Sequence, residues 1–233
     1  MNCDGCHSPV AELPPRRYSR RERREDTLRA GKIHVLRSSQ DDSHPRMSSL
    51  ELVAALFGAI SVYLSVRQNI WSWPTAIVNV VVYALVFYRA KLYADMGLQV
   101  VYTLLSLYGW YEWLYGGEHR TTLRVSRTTP RLGVLLAGIG LAGAGALGLV
   151  LRGATDAALP FMDSFLSSTS LVAQWMMTRK KVENWLVWIA VDVLYVGMFT
   201  YKHLYITAVL YVVFLVLAIR GWIDWRRSLL DAA

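Results

Sequence analysis

The chain has 233 residues, 54% of them hydrophobic and 18% charged, with a formal net charge of +8. Residues 1–46 hold ten Lys/Arg and seven Asp/Glu with almost no apolar run, while the remainder alternates long apolar runs with short basic loops. Repeated runs of that length exclude a soluble domain and read as bilayer-spanning helices. The excess of cations then belongs to the flanks of the spans, where it sets orientation, and carries no nucleic-acid signal.

Residues 1–46 read as a disordered basic tail, with PPRRYSRRERRED its densest stretch. No apolar core of a signal peptide is present there. Cys3, Cys6 and His7 lack the second ligand pair a structural zinc site needs, and read as inert. Met47 directly precedes the first span and is a plausible translation start, which would leave the tail untranslated. The first span covers about Leu50–Val66. The second, about Trp73–Tyr88, carries Pro74 in its first turn, where proline is tolerated. The third, about Leu92–Tyr115, ends in the aromatic cluster YGWYEWLY, an interfacial anchor. A basic loop, 116–131, leads to a fourth span at Leu132–Leu151 with no polar side chain. Its small-residue pairs Gly138/Ala142 and Gly140/Ala144 allow close helix approach. Three further spans cover about Phe161–Thr178, Trp185–Tyr201 and Leu204–Trp225.

Sliding the chain on itself by 112 residues aligns 61–113 with 173–225 without gaps, with 15 identities in 53 positions. Trp73 falls on Trp185, Tyr83 on Tyr195, Gly109-Trp110 on Gly221-Trp222, and Trp113 on Trp225. The fold class expected is all-α: a polytopic membrane protein of seven transmembrane helices, arranged as two parallel three-helix repeats joined by a connector helix. The divisions are a first repeat at 47–115, loop and connector at 116–160, a second repeat at 161–225 and a tail at 226–233. Parallel repeats of this kind place a solute near the membrane midplane between the halves. Ten cations flank the spans on the side of the C-terminus and four on the other, which places the C-terminus in the cytoplasm. The basic tail would then lie outside, a conflict that a start at Met47 removes.

Polar residues inside the spans are few. Asp192 is the most costly, by about 2.5–3.5 kcal/mol on insertion scales. Trp185, Trp188, Asp192 and Tyr195 follow one another at steps of 3, 4 and 3, one stripe of a helix. Asn184 opens that helix. Asn79 and Tyr83 lie four apart on the second span, Gln99 and Tyr102 three apart on the third, and Gln174 late in the fifth. Tyr211 aligns with Gln99 in the repeat. Each is open to reading as helix–helix glue. Together they suit a pocket for a flat, polar, cationic solute, since Trp faces attract cations. Glu112 and Asp224 read as interfacial, pairing with arginine or an indole. No Walker loop, GxSxG, HExxH or cysteine cluster is present. This argues against an enzyme and against any cofactor or metal. One central Asp is thin support for a proton relay, so a passive facilitator fits better.

The stretch WSWPTAIVNVVVYALVFYRAKLYADMGLQVVYTLLSLYGWYEW resembles the first half of a PnuC-type nicotinamide riboside transporter. AQWMMTRKKVENWLVWIAVDVLYVGMFTYKHLYITAVLYVVFLVLAIRGWIDW resembles the second half. The resemblance implies a SWEET-like fold, a homotrimer in the bacterial inner membrane, and facilitated diffusion of nicotinamide riboside trapped by an intracellular kinase. It also implies that the ENWxxW stretch, here Asn184, Trp185 and Trp188, contributes to the site, with weaker carry-over to Asn79, Gln99 and Gln174. Relatives that carry thiamine or riboflavin remain alternatives. A SWEET-type sugar carrier, or a non-transporting assembly or signalling protein of the membrane, is a reading of another class.

Overall fold

A computed structural model describes residues 49–89, 93–154 and 160–231. The expectations for the basic tail, Cys3, Cys6, His7 and Met47 lie outside the described residues. Seven long helices are present among the residues described: α1 (Ser49–Val66), α2 (Ser72–Arg89), α3 (Tyr93–Tyr115), α4 (Pro130–Ala154), α5 (Pro160–Thr178), α6 (Asn184–Tyr201) and α7 (Tyr205–Leu230). Val, Ile and Tyr crowd α7, yet it is helical, because in lipid a helix satisfies every backbone group within one segment. Pro130 and Pro160 open α4 and α5, where the missing N–H costs nothing. The shortest helices have 18 residues and so reach ~27 Å, close to the hydrocarbon thickness. Four of the seven (α1, α4, α6 and α7) are apolar enough to cross a membrane on composition alone. The other three carry Asn79, Gln99, Gln174 and a run of serines. Helix α7 continues past Trp225, through Arg226 and Arg227, to Leu230.

Neighbouring helices pack in the order α1, α2, α3, α5, α6, α7 and back to α1, with α4 outside on α5. A shift of three helices maps this ring onto itself: α1 on α5, α2 on α6, α3 on α7. The two contacts that join the halves, α1 with α7 and α3 with α5, are exchanged by the same operation.

One end of the ring is closed by four buried tryptophans. Trp73 meets Trp113 edge-on with centroids 5.3 Å apart, and Trp185 meets Trp225 likewise at 5.4 Å. Trp113 and Trp225 touch across the ring at 5.9 Å. The Trp113 indole N–H donates to the Met177 carbonyl at 3.1 Å, and that of Trp225 to the Ser65 carbonyl at 3.1 Å. Ser65 and Met177 are themselves 112 residues apart, so each half donates its last tryptophan to the other's first loop. The loops match as well. Gln68 and Lys180 both adopt positive φ, 52° and 44°, and each amide bonds back three residues, to Ser65 and to Met177. The sequence repeat therefore extends to individual hydrogen bonds.

The halves differ in what covers these loops. Segment 121–129 lies along the second-half loop, with Ser126 N–H donating to Lys180 O and Val182 N–H to Ser126 O, each at 3.0 Å. The Lys180 ammonium donates to Leu123 O at 2.9 Å and sits 4.4 Å from the Trp113 ring centroid. Glu112, on α3, pairs with Arg179 at 2.8 Å, tying α3 to the end of α5. At the far end of the bundle, Lys202 and Asp163 stand 3.8 Å apart.

Two expectations follow. A Cβ at Gly109 would fall inside the Trp73 ring, and one at Gly221 inside that of Trp185, whereas Gly138 and Gly145 have open space. Gly109→Ala and Gly221→Ala should each lower stability by ~1–3 kcal/mol. Thermal unfolding of the purified protein should show Gly138→Ala and Gly145→Ala without that loss. The second concerns Lys180, whose burial lowers its pKa from 10.5 to about 8. Between those values the unfolded chain holds a proton that the folded chain has released, so stability rises with pH across that window. Lys180→Met lacks this gain. Unfolding at pH values below and above the window should show wild type gaining on the variant as pH rises; parallel curves would contradict it.

Candidate functional site

Depth below the tryptophan layer can be counted along each helix. Asp192 lies eight residues after Asn184 on α6, and Ser170 eight residues before Thr178 on α5. Both therefore sit ~12 Å beneath the hub end. Around that level Tyr195 and Tyr211 face each other with centroids 4.5 Å apart, and Phe199 packs on both at 5.6 and 5.1 Å. Tyr102 of α3 and Tyr195 of α6 flank Ser170. Tyr211 lies near Asp192, Tyr102 and Tyr83. Helices α2, α3, α5, α6 and α7 thus each bring a polar side chain to one layer inside the ring.

Asp192 is 4% exposed and, among the described residues, has neither an ion-pair partner nor a hydrogen-bond donor. Its position in the first half is Val80, also buried, so the acid is an addition to the duplicated frame. Ser170 is likewise buried, its hydroxyl set between those of Tyr102 and Tyr195 and otherwise without a partner among the described residues. A buried polar group left unpaired costs ~1–3 kcal/mol, and a charged one more. Trp188, half-buried, packs against both the tryptophan cluster and the Leu166/Val191/Met198 cluster, and so connects the two layers.

The remaining candidates have distinct places. Asn184 is wholly buried. Its amide Nδ2 donates to Lys181 O at 2.6 Å, while Oδ1 has no partner. Trp185 packs within the hub, its ring filling the space beside Gly221, and its indole N–H has no acceptor. The equivalents one repeat earlier, Ser72 Oγ and Trp73 Nε1, are also buried and unpartnered. Asn79 donates to the Ala54 carbonyl at 2.6 Å, so its amide is spent on packing α2 against α1. Gln99 is half-buried one turn from Tyr102, and Gln174 half-buried one turn from Ser170, at the level of Trp188. The structure thus gathers Asp192, Tyr195, Tyr211 and Tyr83 in one layer, sets Asn184 and Trp185 in another, and turns Asn79 toward α1.

Sequence reasoning missed Ser170 and Ser72. Ser170 stands four residues before Gln174, on the same helical face, which was a readable signal. Ser72 is the repeat mate of Asn184, so the 112-residue register pointed to it.

Two parallel three-helix repeats closed into a ring, with an unpaired acid and aromatic rings inside, define a multi-pass membrane transporter of a small solute. Residues 48–227 match the family described as nicotinamide mononucleotide transporter, and the chain belongs to that family. It is 28% identical to the nicotinamide riboside transporter PnuC of Escherichia coli (strain K12), an alignment covering 78% of this chain and 87% of that protein. It is 27% identical to the riboflavin/roseoflavin transporter RibM of Streptomyces davaonensis, covering 75% and 83%. The crystal structure of the vitamin B3 transporter PnuC has the same fold, with a TM-score of 0.64 at 24% identity over 93% of this chain and 94% of that one.

Ser170→Ala removes a buried hydroxyl whose only neighbours among the described residues are the Tyr102 and Tyr195 hydroxyls, too loosely placed to count as a structural bond. Stability of the solute-free protein should stay level or rise by ~1 kcal/mol, read by thermal unfolding. A marked loss would place the hydroxyl in a structural bond instead.

Proposed function

We propose that the chain carries nicotinamide riboside across the membrane by facilitated diffusion, with an intracellular kinase trapping it by phosphorylation. The observation that carries this reading is Asp192, a carboxylate buried in a spanning helix with no cation beside it among the described residues. A pyridinium ring supplies that cation. Its flat faces suit Trp188, Tyr195 and Tyr211. Tyr83, Tyr102, Ser170, Gln99 and Gln174 offer hydroxyl and amide partners for a ribose. Asn184 Oδ1 and the Trp185 indole N–H, one layer nearer the hub, offer an acceptor and a donor to the end of the solute remote from the ring, a ribose hydroxyl. A phosphate is disfavoured. Among the described residues the paired cations Arg179 and Lys202 stand at the helix ends, and the central layer holds an acid. Unphosphorylated substrate on one side and phosphorylated product on the other is the asymmetry that trapping needs.

Passive transport is supported by the placement of the other carboxylates. Asp163 and Glu112 stand at opposite ends of the bundle, each beside a cation, and no chain of acids links either to Asp192 among the described residues. The cytoplasmic C-terminus and the homotrimer belong to the same reading, the first resting on the ten-to-four distribution of cations.

Asn184→Ala and Trp188→Ala should each weaken nicotinamide riboside binding at least several-fold, roughly 1–2 kcal/mol, without loss of folded protein. Tight binding by both folded variants would remove this site. In a direct comparison of nicotinamide riboside, thiamine and riboflavin on purified protein, the first should bind tightest. Uptake should persist when a protonophore collapses the proton gradient, provided the kinase is active. Strict proton dependence would recast Asp192 as a relay.

A further inference from the structure

The connector α4 packs on α5 and leaves a groove of about 580 Å³ between itself and the start of α6. The groove lies on the outside of the ring. Its α5 wall is the stripe Phe165, Thr169, Val172 and Met176, centred ~130° around the helix from Ser170. It therefore has no part in the solute site. Its other walls are apolar, with Leu136 and Gly140 of α4 facing Leu186 of α6. From Pro130 to Gly140 it descends ten residues, ~15 Å, about half the hydrocarbon thickness.

Apart from Thr169 on the α5 wall, the polar lining is at the mouth. Thr128 and Glu183 line it, and the Thr128 amide donates to Glu183 Oε2 at 2.8 Å, which holds that carboxylate against the 121–129 segment. The Thr128 hydroxyl is buried and has no partner. Arg127 and Arg131, one residue before Thr128 and one after Pro130, are both exposed at this end. An apolar slot descending from the membrane surface, with an unpartnered hydroxyl at its mouth and, as chain neighbours of the mouth residues Thr128 and Pro130, two exposed arginines with no ion-pair partner among the described residues, suits a phospholipid with an anionic head.

We propose that this groove holds one acyl chain of an anionic phospholipid, with its phosphate between Arg127 and Arg131 and the Thr128 hydroxyl donating to the headgroup. The bound lipid would fasten the connector to the second repeat at the end where the tryptophans meet.

The test uses the full chain, purified in detergent and stripped of lipid. Phosphatidylglycerol and phosphatidylcholine with identical chains are titrated against the thermal midpoint. Phosphatidylglycerol should raise it, and phosphatidylcholine should do so only at much higher concentration. Arg127→Ala with Arg131→Ala should weaken the phosphatidylglycerol effect by roughly tenfold or more. Gly140→Leu, which fills the slot, should abolish it. Equal action of the two lipids, or an undiminished effect in the double arginine variant, would overturn the proposal. A Leu141→Cys chain, with Cys3 and Cys6 changed to Ser, should not cross-link to another copy in native membranes. Cross-linking there would put a second protomer in the groove and sink the lipid assignment.

Discussion

The fold depends on a reciprocal exchange of two hydrogen bonds. Trp113 of the first half donates to Met177 of the second, and Trp225 of the second donates to Ser65 of the first. Indole N–H groups buried at the end of a helical ring need acceptors, and the Ser65 and Met177 carbonyls, each holding one turn bond, have a second lone pair to offer. Because each half supplies what the other needs, the two repeats close on one another at this end. Gly109 and Gly221 then follow as a requirement, since each must leave room for a tryptophan ring one helix away.

That frame is symmetric, and the proposed solute site is where symmetry fails. Val80 completes a buried packing position in the first half, whereas Asp192 places an unpaired acid in the second. Trp188 replaces Ala76 in the same comparison, and Asn184 replaces Ser72. These three differences lie on one face of one helix, and on the proposed reading they form the recognition surface. The other half keeps the scaffold role, with Asn79 holding α1 by its carbonyl. The covering segment 121–129 adds to the asymmetry by fixing the loop that leads into α6.

The repeat, the seven helices and the parallel arrangement were legible because tryptophan and glycine recur in register, and few other residues fill their positions. The cost of an acid in lipid made Asp192 legible too. What the sequence hid is the use of each polar group. Asn79 looks like a site residue until the Ala54 carbonyl appears beside it, and that carbonyl belongs to the backbone of another helix. Trp185 belongs to the recognised stripe, yet its ring is engaged by Trp225 and the space at Gly221. Ser170 was hidden among neighbouring serines, and only packing separates it from Ser168, which donates to Gly140 on α4.

The central claim is that the substrate's positive charge completes Asp192. It is tested most directly by binding of nicotinamide riboside and of its neutral dihydropyridine form to wild type and to Asp192→Asn. The two ligands share ribose and carboxamide and differ in ring charge. Wild type should prefer the cation by roughly tenfold or more, and the variant should lose that preference. Equal binding of both forms by wild type, or an unchanged preference in the variant, would contradict the account.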